Sequence, residues 1–190
     1  MHMPKHSSNA HASLHFLTLA PASARDFVAQ WSQWYSYPRE DLYTSNIGRP
    51  LVSSRIHELF EWKNGGKLSR NKFSSVERHY ASRSAELMRL PPTTTAEEFL
   101  GEFGGGRIWA VFLLHCWRPT GFPIYDQHVH RAMEFIQYGT TREISKSPTI
   151  VVSDYVERYL PFWREFSDAS EREVDKALWA FGKLLKQFPK

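Results

Sequence analysis

Three consecutive glycines, Gly104-Gly105-Gly106, stand directly before an apolar run, and that junction constrains this chain more than any other feature. The run reads Arg107-Ile108-Trp109-Ala110 and continues from Val111 to Trp117. A Pro/Gly-rich break follows, and then Tyr125-Asp126-Gln127-His128-Val129-His130-Arg131. Glycine lacks a Cβ, so this backbone can take positive φ and come close to another group. A helix that starts just behind it points unpaired N–H groups at whatever anion lies in front. Asp126, after Pro123-Ile124-Tyr125, falls where a carboxylate caps the next helix. An anion cradle and a carboxylate on consecutive helix starts point to chemistry on a nucleic acid.

With 190 residues and 42% apolar content, the chain can bury one good core or two small lobes sharing a cleft. Lys and Arg number 24 against 20 Asp and Glu. The whole excess lies in segment 51 to 90, where eight basic residues (Arg55, Lys63, Lys67, Arg70, Lys72, Arg78, Arg83, Arg89) face four acidic ones (Glu58, Glu61, Glu77, Glu86). A concentrated basic surface suits a polyanion; a solvated helix face laced with ion pairs is the plainer reading. The lone cysteine, Cys116, excludes a disulfide within the chain and any cysteine-built zinc or iron-sulfur site. Residues 1 to 22 read as a flexible, His-rich tail too polar for a signal peptide. No apolar run approaches the ~20 residues of a membrane span, and a cytoplasmic location is expected.

Helical periodicity recurs and strand alternation does not, so the expected fold class is all-α, with seven to nine helices in a two-lobed domain over 23–190. The spacing predicts helices over 24–35, 52–62, 72–90, 95–103, 107–117, 126–138, 153–166 and 170–188, with loops at 37–50 and 139–148. Thr94 or Thr95 caps the fourth of these, with Glu97 and Glu98 in its first turn. That helix, the glycine turn and the helix from Arg107 form a helix-hairpin-helix over about 95–117.

These residues resemble the helix-hairpin-helix DNA glycosylases, a superfamily that includes endonuclease III and the adenine and alkyl-base glycosylases. Its signature is a Gly-x-Gly hairpin, a helix, and then apolar-Asp-x-His-Val-x-Arg, with the aspartate eighteen residues after the position that is lysine in lyase members. Here Gly104-x-Gly106-Arg107 matches the hairpin, Ile108 takes the lysine position, and Asp126-x-His128-Val129-x-Arg131 matches the second element. The likeness covers roughly residues 97 to 136. It implies that Asp126 is catalytic and that Gly104, Gly105, Gly106, Arg107, His128 and Arg131 bind the DNA backbone.

Cleavage of an N-glycosidic bond passes through an oxocarbenium-like state that a nearby carboxylate stabilises. The target base must first leave the stack and sit between aromatic and apolar side chains. Candidates for that pocket are Ile108, Tyr125, Trp62, Lys63, Trp179 and Lys183, the last four because each Trp stands near a Lys and a Gly. Ile108 cannot form a Schiff base, so an abasic product without strand cleavage is expected. The four cysteines of the iron-sulfur members are absent, and no cofactor is expected. His128 and His130, two residues apart, cannot share a helix face as a metal pair. Asp126 also serves as a helix cap, a role compatible with catalysis.

The sequence therefore predicts a monomeric, monofunctional DNA N-glycosylase acting on double-stranded DNA with a flipped base, in repair or in defence against phage DNA carrying modified cytosines. A non-catalytic helix-hairpin-helix module that binds nucleic acid for a partner enzyme is the alternative.

Overall fold

The computed structural model describes residues 23–187, all of whose regular elements are helical; the predicted tail at 1–22 lies outside the described residues. Helices run in the order α1 (Ala24–Ser32), α2 (Glu40–Asn46), α3 (Ser53–Lys63), α4 (Arg70–His79), α5 (Ser84–Leu87), α6 (Ala96–Glu102), α7 (Arg107–Trp117), α8 (Gln127–Tyr138), α9 (Pro148–Ser153), α10 (Leu160–Arg164) and α11 (Glu171–Leu185). A 3-10 turn, Ala81–Arg83, precedes α5, and a π-helical stretch, Asp154–Tyr159, joins α9 to α10. The all-α class is as expected. No helix among the described residues is long and apolar enough to cross a membrane.

One apolar core runs through these elements, and α7 supplies its centre: Ala110 through Leu114 are fully buried. Such all-round burial explains why 107–117 reads as a continuous apolar run and not as an amphipathic stripe. Next to α7, α3 contributes Ile56, Leu59 and Phe60, while α11 packs along α1 and α8 with Val174, Leu178 and Phe181.

Three elements differ from expectation. The helix predicted over 72–90 breaks at Tyr80, whose backbone (φ −132°, ψ −59°) leaves the helical region. Its ring is fully buried and stacked on Phe60 at 5.0 Å, so core packing overrides local periodicity. Within the predicted 37–50 loop, α2 forms with Glu40 and Asp41 in its first turn, where acidic groups complement the helix dipole. The helix expected from Ser153 begins at Pro148 instead, because proline fits the first helical turn, whose N–H is unpaired anyway. Of the two threonines expected as the cap of α6, Thr95 takes the position, and Glu98 of the first turn closes a capping box with it.

Candidate active site

The segment entering α8 has no ladder of its own, so its backbone polar groups are satisfied by side chains. Tyr155 donates to the Pro123 carbonyl at 3.2 Å and Tyr159 to the Ile124 carbonyl at 3.1 Å, both from the π-helical stretch. His115, buried in α7, meets the Phe122 carbonyl through Nδ1 at 2.7 Å and Tyr43 Oη through Nε2 at 2.8 Å. Burial pushes the His115 ring down to about 3, so it is neutral. A carbonyl only accepts, which places the proton on Nδ1 and makes Tyr43 the donor to Nε2. Three side chains, with His115 itself braced by Tyr43, thus fix the segment that presents Asp126.

Asp126 is the N-cap of α8: Oδ1 accepts from the N–H groups of His128 at 2.8 Å and Val129 at 3.2 Å. Its other oxygen, Oδ2, faces the Lys63 ammonium at 3.3 Å, brought by the last turn of α3. Lys63 is 8% exposed and Asp126 18%, so the carboxylate is sheltered yet still reachable from outside. Burial raises the Asp126 pKa, but Lys63, the neighbouring His128 and the two N–H donors outweigh it and hold the group below the ordinary carboxylate range. Asp126 is therefore ionised at neutral pH.

A folded-state pKa held below the unfolded value adds stability above the unfolded pKa and loses it as pH falls through the folded one. Lys63→Met is accordingly expected to cost about 1 to 3 kcal/mol at pH 7, since it strands a largely buried carboxylate. The deficit should shrink at pH 3, where Asp126 in the variant takes up a proton. Urea unfolding at both pH values checks this.

Around this pair, Tyr35, Tyr37, Trp62, Ile124, Val129, Arg172, Asp175 and Trp179 line a narrow cavity of about 20 Å³, room for roughly one water. Glu40 organises one wall, accepting from Tyr35 Oη at 2.9 Å and Trp62 Nε1 at 3.0 Å and pairing with Arg172. The Arg172 guanidinium lies over the Tyr43 ring at 4.2 Å, Tyr35 at 5.1 Å and Trp62 at 5.6 Å. Tyr37 donates to the Lys63 carbonyl at 2.9 Å and packs edge-on against Trp179 at 5.4 Å. Asp175 is buried; its carboxyl accepts from the Ile124 backbone, and Oδ1 has no partner. Burial pushes this second carboxyl up to about 7 against the pull of Arg172.

Of the pocket candidates, Trp62, Lys63 and Trp179 line the cavity and Lys183 lies over the Trp179 ring at 4.7 Å. Ile108 and Tyr125 stand outside it. Ile108 packs against the core, and Tyr125 is fully buried with its hydroxyl on His130 Nδ1 at 2.9 Å.

The backbone-binding candidates divide in the same way. Gly105 takes φ +92° and Gly106 is the N-cap of α7; both are exposed. A Cβ at Gly105 would sit 2.7 Å from Tyr80 Oη, whereas Gly104 and Gly106 face open space. Gly105→Ala is therefore expected to destabilise by about 1 to 3 kcal/mol, read as a lower melting temperature, while Gly106→Ala stays near wild type. Arg107 turns inward to the Leu100 carbonyl at 2.8 Å. Arg131 is buried, donating to the Gly182 carbonyl at 3.0 Å and to Glu143 at 3.1 Å, so it ties α8 to α11. His128 packs edge-on against Trp179 at 5.3 Å, beside the cavity.

Cations outside the hairpin take the exposed place instead. Lys67, Arg70, Lys72 and Arg78 are exposed on and just before α4. That helix touches the hairpin through His79 and Tyr80, and Lys72 lies 5.9 Å from the Trp109 ring of α7.

Sequence reading missed Tyr35, Tyr37, Glu40, Arg172 and Asp175. One signal was available: in α11, Asp175 interrupts the apolar face made by Val174, Leu178 and Phe181. A charged residue on a buried stripe is uncommon unless it is paired or functional. Comparison with protein-family models, curated proteins and solved structures finds no match to this chain.

Proposed function

We propose that this chain is a helix-hairpin-helix DNA N-glycosylase of two-lobed form, which flips a damaged or modified base and hydrolyses its glycosidic bond without a cofactor. The observation that carries the reading is Asp126: an ionised, partly exposed carboxylate at a helix start, held by Lys63 and two N–H groups at the edge of an aromatic cavity. A preorganised negative charge costs no reorganisation when an oxocarbenium develops beside it. The exposed cations of α4, next to the open glycines of the hairpin, supply the sequence-independent attraction that duplex binding requires.

The resting cavity holds a water-sized group, not a base, so capture requires the partly buried rings of Tyr37 and Trp179 to part. Closure of the two rings on the seated base then keeps bulk water away from the glycosidic bond. Lys63 brings an amine to the position beside Asp126 that Ile108 cannot fill, but it is held there in an ion pair. A simple hydrolase leaving an abasic site is the resulting expectation, for a single protein molecule acting on double-stranded DNA in repair or phage defence.

The test is a panel of duplexes carrying uracil, oxidised, alkylated and glycosylated-cytosine bases, incubated with protein and then heated in alkali. Strand cuts that need alkali support the monofunctional reading. Cuts without alkali, together with a borohydride-trapped adduct absent from Lys63→Met, would instead make Lys63 a nucleophile. Salt-sensitive binding with no cutting on any duplex would favour the non-catalytic binding module.

A further inference from the structure

We infer that Asp175 is a second catalytic carboxyl of this site, the general acid that protonates the departing base. The inference rests on the glycosylase reading and adds to it a proton donor that neither the hairpin nor Asp126 supplies.

Its geometry is that of a donor kept in reserve. Asp175 is 4% exposed, lines the same cavity as Asp126 and Lys63, and carries Oδ1 without a hydrogen-bond partner. A buried polar atom left unpaired is costly, so an Oδ1 without a partner in the cavity wall points to a bound group that supplies one. The groups that face it are Arg172 from its own helix, Lys63 from α3, Asp126 from the α8 entry and the tyrosines Tyr43, Tyr155 and Tyr159. Burial dominates over the two cations, and the Asp126 charge adds to it, so Asp175 holds its proton up to about 7. Two carboxyls in one cavity with opposite protonation is the pattern of an acid and a charge stabiliser.

The step balances as a hydrolysis. As the C1′–N bond breaks, its electron pair withdraws into the base, and a ring nitrogen or carbonyl oxygen of the base takes the proton from Asp175 Oδ1. Asp175 becomes a carboxylate while the Asp126 carboxylate faces the oxocarbenium carbon. Water then adds to C1′, and its proton returns to Asp175. The substrate class that needs such an acid is a base whose anion is a poor leaving group: an adenine- or cytosine-type base, or a neutral modified cytosine. A cationic alkylated base departs without help.

Single-turnover excision measured from pH 5 to 9 tests this with wild type, Asp126→Asn and Asp175→Asn. Wild type is expected to lose rate above about pH 7, and Asp175→Asn to be slower by about 100-fold or more on a neutral base, with no alkaline limb. On a cationic 7-methylguanine duplex the same variant should stay within a few-fold of wild type. Because asparagine removes a buried group that must ionise, Asp175→Asn should melt no lower than wild type at pH 8, which separates a lost acid from a lost fold. Asp126-dependent excision in which Asp175→Asn keeps both rate and alkaline limb overturns the acid role alone. Absence of excision by wild type on every duplex overturns the glycosylase reading and the acid with it.

Discussion

Asp126→Asn is expected to lower base excision by at least about 100-fold while duplex binding persists or tightens. Asparagine caps a helix as well as aspartate does, so the bonds to the His128 and Val129 N–H groups survive and α8 keeps its start. What disappears is the negative charge that faces Lys63 and, in the proposed reaction, the oxocarbenium carbon. Binding moves the other way because a carboxylate repels nearby phosphates and its amide does not. Equilibrium binding and single-turnover excision on one duplex separate these effects. A variant that loses both in proportion would have lost its fold or its DNA surface instead.

Gly182→Ala is expected to be the most destabilising of the glycine-to-alanine changes. A Cβ there would stand 1.9 Å from the His128 carbonyl oxygen and 2.6 Å from its carbon, both backbone atoms that no rotamer change can move. The close approach of α8 and α11 depends on this glycine, and the Gly182 carbonyl also receives Arg131. Overpacking against backbone should cost about 3 kcal/mol or more, beyond the ~1 kcal/mol that alanine returns as helix propensity. For a domain of this size that is a fall of about 6 to 12 °C in melting temperature. Because α8 follows Asp126 and α11 carries Asp175 and Trp179, excision should fall even below the melting range. Gly101→Ala in α6 is the control: its Cβ meets nothing within 4 Å, so it should be neutral or slightly stabilising.

What was legible in the sequence was what is local. The glycine turn, α7 as a buried helix, a threonine cap at 94 or 95 and Asp126 as the α8 cap all depend on neighbours within a few residues, and each is found where the spacing puts it. The partners of Asp126 are not local. Lys63 lies 63 positions away in sequence, and its pairing is set by how α3 packs on α7. Tyr35, Glu40 and Arg172 meet across as many as 137 positions, which no periodicity encodes. The motif arginines show the converse. Spacing marks Arg107 and Arg131 as cations beside the motif, but only packing reveals that one reaches the Leu100 carbonyl and the other lies buried against Gly182 and Glu143. Tyr80 likewise breaks a periodic segment because its ring is needed beneath Gly105 and against Phe60.

In the proposed function the Asp126–Lys63 pair, in its aromatic cavity, is a site for releasing a base from DNA. Mass spectrometry of the small molecules freed from unmodified, alkylated, oxidised and glucosylated-cytosine DNA tests it most directly, because it detects any released base without assuming which. One free base is expected, released in equal amount to new abasic sites by wild type and absent with Asp126→Asn. Release that is unchanged in Asp126→Asn, or no base from any of the DNAs under conditions where the protein binds them, would contradict it.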